Sequence, residues 1–95
     1  MKLTDKKYFE IRGPINPNIE EFGEYEKESP KELIVDRASF SIKRNALEIG
    51  FQDGWRVWIY PKNEIARQCL VEIKEKTEKN FIGSSYQKVL ETEYC

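Results

Sequence analysis

Alternation of apolar and polar residues predicts strands in the first two thirds of the chain. Residues 7–12 place two apolar side chains on one face and two charged ones on the other, and Gly13-Pro14 is expected to end this strand. Residues 33–36 form an apolar run suited to a second strand, and Arg44-Asn45 is suited to a turn. Between them the pattern alternates, and the residues expected to face the core are Ala38, Phe40 and Ile42.

The apolar segments on either side of Asp53-Gly54 predict a hairpin, and its register can be predicted from the residues that each loop length would pair. A two-residue turn would pair Glu48 with Ile59 and so mix charged and apolar residues on one face. A three-residue loop, with Gly54 in the left-handed region, avoids this mixture. This preferred register pairs Phe51 with Trp55, Ile49 with Val57 and Leu47 with Ile59. The opposite face then shows Glu48, Arg56, Trp58 and Tyr60.

After Pro61 the pattern changes to a helical period. Asn63 is a suitable N-cap, and Glu64 places a negative charge in the first turn, where the helix dipole favours it. The predicted apolar stripe consists of Ile65, Ala66, Cys69, Leu70, Ile73 and Phe81. A break at residues 83–85 precedes Tyr86–Tyr94, which we interpret as a second, short helix.

Strands in one block followed by helices in another indicate the α+β class. We therefore predict one domain over residues 1–95, with an antiparallel meander sheet of about four strands. One long helix packs against this sheet, and a short C-terminal helix follows.

Composition indicates a globular protein outside the membrane. Charged residues make up 35% of the chain, which indicates high solubility, and aromatic residues make up 13%, which argues against global disorder. No apolar run approaches the roughly 18 residues that span a bilayer. The residues after Met1 lack the apolar centre of a signal peptide. Because Cys69 lies in the predicted helix and Cys95 is the last residue, in a different kind of environment, we expect no disulfide framework and a cytoplasmic protein, with a bridge between the two as the alternative.

Little in the sequence favours catalysis. The chain has no histidine, which is the side chain best suited to proton transfer near neutral pH and the commonest metal ligand. Cys69 lies on the apolar stripe, where a thiol is expected to be buried and inert. We therefore predict no enzymatic activity, no cofactor and no metal site.

The strongest functional signal is a concentration of acidic residues. Residues 18–36 contain seven acids and two bases, a net charge of -5, whereas the whole chain has a net charge of -1. Such a segment attracts basic surfaces, and its aromatic side chains are suited to anchoring it on a partner. The alternative is that these aromatics fix the loop to the sheet edge. The predicted partner-binding residues are Glu20, Glu21, Phe22, Glu24, Tyr25, Glu26 and Glu28.

These observations favour a small inhibitor that blocks a basic enzyme such as a nuclease or toxin. Immunity proteins, antitoxins and anti-defence proteins are of this kind. The alternative is a protein that binds single-stranded nucleic acid through an aromatic and basic strand face. Its predicted residues are Arg56, Trp58, Tyr60 and Lys62. The net charge of -1 argues against a broad phosphate-binding surface, and the sequence leaves open whether the protein is a monomer or a homodimer.

Overall fold

A computed structural model describes residues 1–16 and 32–95. Four strands form one antiparallel sheet in the order β1-β4-β3-β2. One main helix and a short C-terminal helix follow, which confirms the predicted α+β fold. The strands are β1 (Phe9–Ile15), β2 (Val35–Ser41), β3 (Ala46–Phe51) and β4 (Arg56–Pro61).

Strands β2, β3 and β4 form the predicted meander, and the hairpin between β3 and β4 has the predicted register. Leu47 lies opposite Ile59, and Ile49 lies opposite Val57. The three-residue loop closes with the backbone N–H of Phe51 donating to the carbonyl of Trp55 at 2.8 Å. Gly54 has a φ of 88°, as predicted, and Asp53 joins it in the left-handed region with a φ of 68°.

Strand β1 continues past the residues that were expected to end it. It runs through Gly13-Pro14, whose peptide bond is cis, and the pairing with β4 shifts register between Arg12 and Ile15. Gly13 has a φ of 110°, and a Cβ atom there would lie 2.7 Å from the carbonyl oxygen of Arg56. The prediction of a strand end was wrong because the irregularity is absorbed as a bulge at the sheet edge, where such features are common.

The main helix, α1 (Glu64–Lys76), is capped as predicted, because the side-chain oxygen of Asn63 accepts a hydrogen bond from the N–H of Ala66 at 2.9 Å. A π-helical turn at Thr77–Phe81 extends it, and α2 (Tyr86–Glu91) is the short C-terminal helix. The side chains of α1 that are buried against the sheet are Ala66, Cys69, Leu70 and Ile73. Ile65 was wrongly placed on this stripe: it is 64% exposed, since one position along a helix turns a side chain by about 100°.

The core lies between α1 and one face of the sheet. That face contributes the fully buried side chains of Leu47, Ile49, Val57 and Ile59. Ala38 of β2 is also buried, as predicted, but the neighbouring assignments of Phe40 and Ile42 to the core were wrong. Phe40 lies near the end of an edge strand and is 44% exposed, and Ile42 lies beyond the strand, in the turn to β3, and is 94% exposed.

A disulfide joins Cys69 of α1 to Cys95, which makes the expectation of unbridged cysteines wrong. The last residues therefore lie across α1, where Tyr94 is buried and its hydroxyl donates to the carbonyl of Val89 at 3.0 Å. Tyr94 also exchanges backbone hydrogen bonds with Met1, so the two end segments of the described chain lie side by side. Within residues 1–16 and 32–95, no helix is long and apolar enough to cross a membrane.

Candidate functional site

The predicted acidic partner-binding residues belong to the part of the chain that the structure does not describe. All of Glu20, Glu21, Phe22, Glu24, Tyr25, Glu26 and Glu28 fall within residues 17–31 and so lie outside the described residues. The alternative predicted site, on the strands, lies within the described residues.

This site occupies the sheet face opposite α1. Cross-strand neighbours in an antiparallel sheet share a face. Arg12 of β1 pairs with Trp58 of β4, Trp58 pairs with Glu48 of β3, and Glu48 pairs with Ser39 of β2, so these four residues form a row across the whole sheet. The neighbours of Glu48 and Trp58 along β3 and β4 are the buried Leu47, Ile49, Val57 and Ile59, and the row therefore faces away from the helix.

Trp58 is the centre of this row and is only 6% exposed. Its indole N–H donates to Oε1 of Glu48 at 3.1 Å, and the guanidinium carbon of Arg44 lies 4.2 Å from the ring centroid. Arg44 comes from the turn between β2 and β3 and remains exposed. The guanidinium group of Arg44 therefore covers a face of the indole, and the carboxylate of Glu48 accepts the hydrogen bond from its N–H.

Tyr60 supports a second stacked arginine. The guanidinium carbon of Arg12 lies 4.4 Å from the Tyr60 ring centroid, and Nε of Arg12 donates to Oε2 of Glu10 at 3.1 Å. This hydrogen bond is the main reason that the pKa of Arg12 is raised. Arg44 connects the two aromatic groups, since its Nη1 donates to the Tyr60 hydroxyl at 3.5 Å. An arginine guanidinium group therefore lies over each of the two rings, Arg44 over Trp58 and Arg12 over Tyr60.

Glu48 holds two further arginines on the same face. Its Oε2 accepts a hydrogen bond from Nη2 of Arg37 at 3.2 Å and lies 3.7 Å from Nη1 of Arg56. Only 16% of the Glu48 side chain is exposed, and its two carboxylate oxygens contact these arginines and the indole N–H of Trp58. Gly50 gives Arg37 the room to lie flat, since a Cβ atom at Gly50 would come within 3.1 Å of Cγ of Arg37.

The structure brings Arg56, Trp58 and Tyr60 together but holds Lys62 elsewhere. Lys62 lies beyond the end of β4, and its ammonium group donates to the carbonyl oxygen of Lys6. It lines a cleft at the β1 edge of the molecule, apart from those three residues. The other residues of that cleft are Leu3, Thr4, Lys6, Phe9, Glu10 and Ile11.

Sequence reasoning missed Arg12, Arg37 and Arg44. The alternation in residues 7–12 does place Arg12 on the polar side of its strand, but it does not show that β1 pairs with β4. Arg44 lies in a turn, where periodicity gives no face. We call the four-arginine surface of Arg12, Arg37, Arg44 and Arg56, together with Trp58, Tyr60 and Glu48, the arginine face.

Across residues 1–16 and 32–95, no three acidic or cysteine side chains are grouped so that they could hold a metal ion.

A groove between α1 and the β2–β3 turn is lined by exposed apolar side chains, chiefly Phe40, Ile42 and Val71, with Arg67 at its wall.

Comparison with protein-family models, with curated proteins and with solved structures finds no match to this chain.

Proposed function

We propose that this chain is a small non-enzymatic protein-binding module that blocks a basic enzyme. A nuclease or a toxin is the proposed target, and the inhibitor is of the immunity, antitoxin or anti-defence type. Its carboxylates would cover the cationic site of the target, and Phe22 and Tyr25 would anchor the contact.

The burial of Trp58 is the observation that favours this function over the binding of single-stranded nucleic acid. The competing function, as predicted from the sequence, uses Trp58 as a stacking surface, yet Trp58 is 6% exposed and lies under Arg44. The acidic residues, by contrast, are concentrated in one segment: seven of the 17 acidic residues of the chain fall between residues 18 and 36. A segment of that composition accelerates association with a cationic surface.

Charge reversal tests the proposal. The variant carries Glu21→Lys, Glu24→Lys and Glu28→Lys, and the matched control carries Glu75→Lys, Glu78→Lys and Glu91→Lys, which are exposed positions on the helices. Tagged proteins are used to recover partners from a native lysate, with and without added nuclease. We expect one stoichiometric protein that survives nuclease treatment, leaves at high salt and is lost only with the first variant.

Equal recovery with both triple variants would contradict a role for the acidic segment. Equal loss with both would show that net charge, and not the segment, governs the contact. Recovery of nuclease-sensitive material alone would move the assignment to the second candidate below.

The proposal includes a cytoplasmic location, and the structure does not support that location. The expectation depended on unpaired cysteines, and the Cys69–Cys95 disulfide removes that ground. Disulfides of this kind persist in oxidising compartments and are rare in the cytosol. Alkylation of free thiols in intact cells tests the location, because a cytosolic protein with reduced cysteines would be labelled at the exposed Cys95, whereas a disulfide-bonded protein would not be labelled.

The second candidate function is binding of single-stranded nucleic acid on the arginine face. The specific observation in its favour is that Arg56, Trp58 and Tyr60 do share one face, and that Arg12 and Arg44 join them there. Four guanidinium groups against the carboxylates of Glu10 and Glu48 make this face cationic. Quenching of tryptophan emission by a single-stranded oligonucleotide would support this function, and unchanged emission and mobility at low salt would exclude it.

A further inference from the structure

We infer that Arg44, and not Trp58, is the stacking platform for a base of single-stranded nucleic acid on the arginine face. The inference deepens the second candidate function and rests on it. The sequence singled out Trp58 for this role, whereas the geometry assigns the outer position to the guanidinium above it.

The first step of the argument is access. A base needs one free face of a planar group at van der Waals distance, and the indole of Trp58 offers almost no exposed surface. Arg44 is exposed and lies 4.2 Å above that indole. A base can therefore add to the outer side of the guanidinium, which gives the order indole, guanidinium, base. Guanidinium planes are established stacking partners for the unpaired bases of single strands.

The second step is preorganisation. Arg44 is held from below by the ring of Trp58 and from the side by the Tyr60 hydroxyl, to which it donates at 3.5 Å. Trp58 is itself fixed by the hydrogen bond from its indole N–H to Glu48. An arginine that is already ordered loses little rotamer freedom when a ligand stacks on it, so more of the stacking energy appears as affinity.

The third step is charge. Arg12 and Arg56 flank Trp58 on the same face, with 58% and 36% of their side chains exposed. Their guanidinium groups are suited to phosphate oxygens, which arginine binds through two parallel N–H groups. A strand that places a base on Arg44 would bring its adjacent phosphates toward these cations.

The combination of a planar platform and flanking cations specifies single strands. Bases of a duplex are stacked inside the helix and cannot lie flat on Arg44 without unpairing, and a free phosphate would use the cations alone. The discriminating ligand is therefore an abasic oligonucleotide, which keeps the phosphates and removes the bases.

The test measures the anisotropy of a short labelled oligothymidylate at low salt, with an abasic strand of equal length in parallel. The variants are Arg44→Ala and, as a matched control, Lys43→Ala, which removes the same charge from the neighbouring exposed position of the same turn. We expect Arg44→Ala to weaken oligothymidylate binding about tenfold, in the range of one lost base stack, and Lys43→Ala to weaken it less than about twofold. Arg44→Ala should weaken abasic binding no more than Lys43→Ala does.

Several outcomes would overturn the inference. Equal effects of the two substitutions on oligothymidylate would show that Arg44 contributes charge alone, and the second candidate function would survive. If the unmodified protein bound the abasic strand as tightly as oligothymidylate, no base would be stacked on Arg44, and the second candidate function would again survive. If the unmodified protein bound no oligonucleotide at low salt, both the inference and the second candidate function would fall. Arg44→Lys keeps the charge without the planar group, and binding as tight as that of the unmodified protein would also overturn the inference.

Discussion

The disulfide between Cys69 and Cys95 gives a prediction whose magnitude follows from the fold. The perturbation is Cys95→Ser, because Cys95 is exposed whereas Cys69 is buried and its replacement would disturb the core as well. The two cysteines are 26 positions apart. A cross-link that closes a loop of this length lowers the entropy of the unfolded chain by an amount worth about 3.5 kcal/mol at room temperature.

We therefore expect Cys95→Ser to lower the free energy of unfolding by about 3.5 kcal/mol, while the domain remains folded. Urea unfolding, followed by circular dichroism, measures this value. With a denaturant dependence of about 1–3 kcal/mol per molar, the midpoint should fall by at least about 1 M. The unmodified protein treated with a dithiol reductant provides the control and should unfold at the midpoint of the variant.

A loss below about 1 kcal/mol would refute the reasoning, since the loop-closure term would then be absent. So would a midpoint in the unmodified protein that does not respond to reductant, because that result would show that the two sulfur atoms are not bonded in solution.

Three further predictions follow from burial and backbone geometry. Ile49→Ala should cost about 2–5 kcal/mol because the residue is fully buried, whereas Ile42→Ala should stay within about 0.5 kcal/mol, and equal costs by urea unfolding would contradict the assigned core face. Gly13→Ala should cost more than about 1 kcal/mol, since the new Cβ would meet a strand carbonyl at positive φ, and an unchanged thermal midpoint would contradict the bulge. Burial raises the pKa of Tyr86 and of Tyr94 to about 12, above the ordinary value of 10. The folded state therefore keeps these two protons to a higher pH than the unfolded state does, so their contribution to stability is fully present below pH 10 and is lost between pH 10 and about 12; a thermal midpoint that rises in that window would oppose this.

The hairpin register could be predicted from the sequence because, of the two loop lengths compared, only the three-residue loop avoids pairing Glu48 with Ile59 and places the aliphatic side chains of β3 and β4 on one side. That argument needs nothing beyond the two strands themselves. The core assignment of Phe40 and Ile42 needed more, namely that β2 is an edge strand and ends at Ser41. Alternation assigns a side to each residue, but the position of the strand in the sheet decides whether that side is covered.

The parts that could not be predicted depend on contacts between distant segments. Cys69 and Cys95 come within bonding distance only because the residues after α2 return across α1. Arg44 joins the candidate site because a turn side chain folds back over Trp58, and Arg12 joins it because β1 pairs with β4. The first functional choice, the acidic segment, lies in residues 17–31 and remains a prediction.

The strand order has a consequence for the folding kinetics. Strands β2, β3 and β4 pair through short turns, whereas β1 must bring Phe9 to the level of Pro61 across most of the chain. Closing that long loop costs more entropy, so the meander and α1 are expected to form in the transition state before β1 is added. Destabilising substitutions in β1 should therefore accelerate unfolding and leave the folding rate nearly unchanged. Because Arg12 lies on β1, the arginine face would be completed only in this last step.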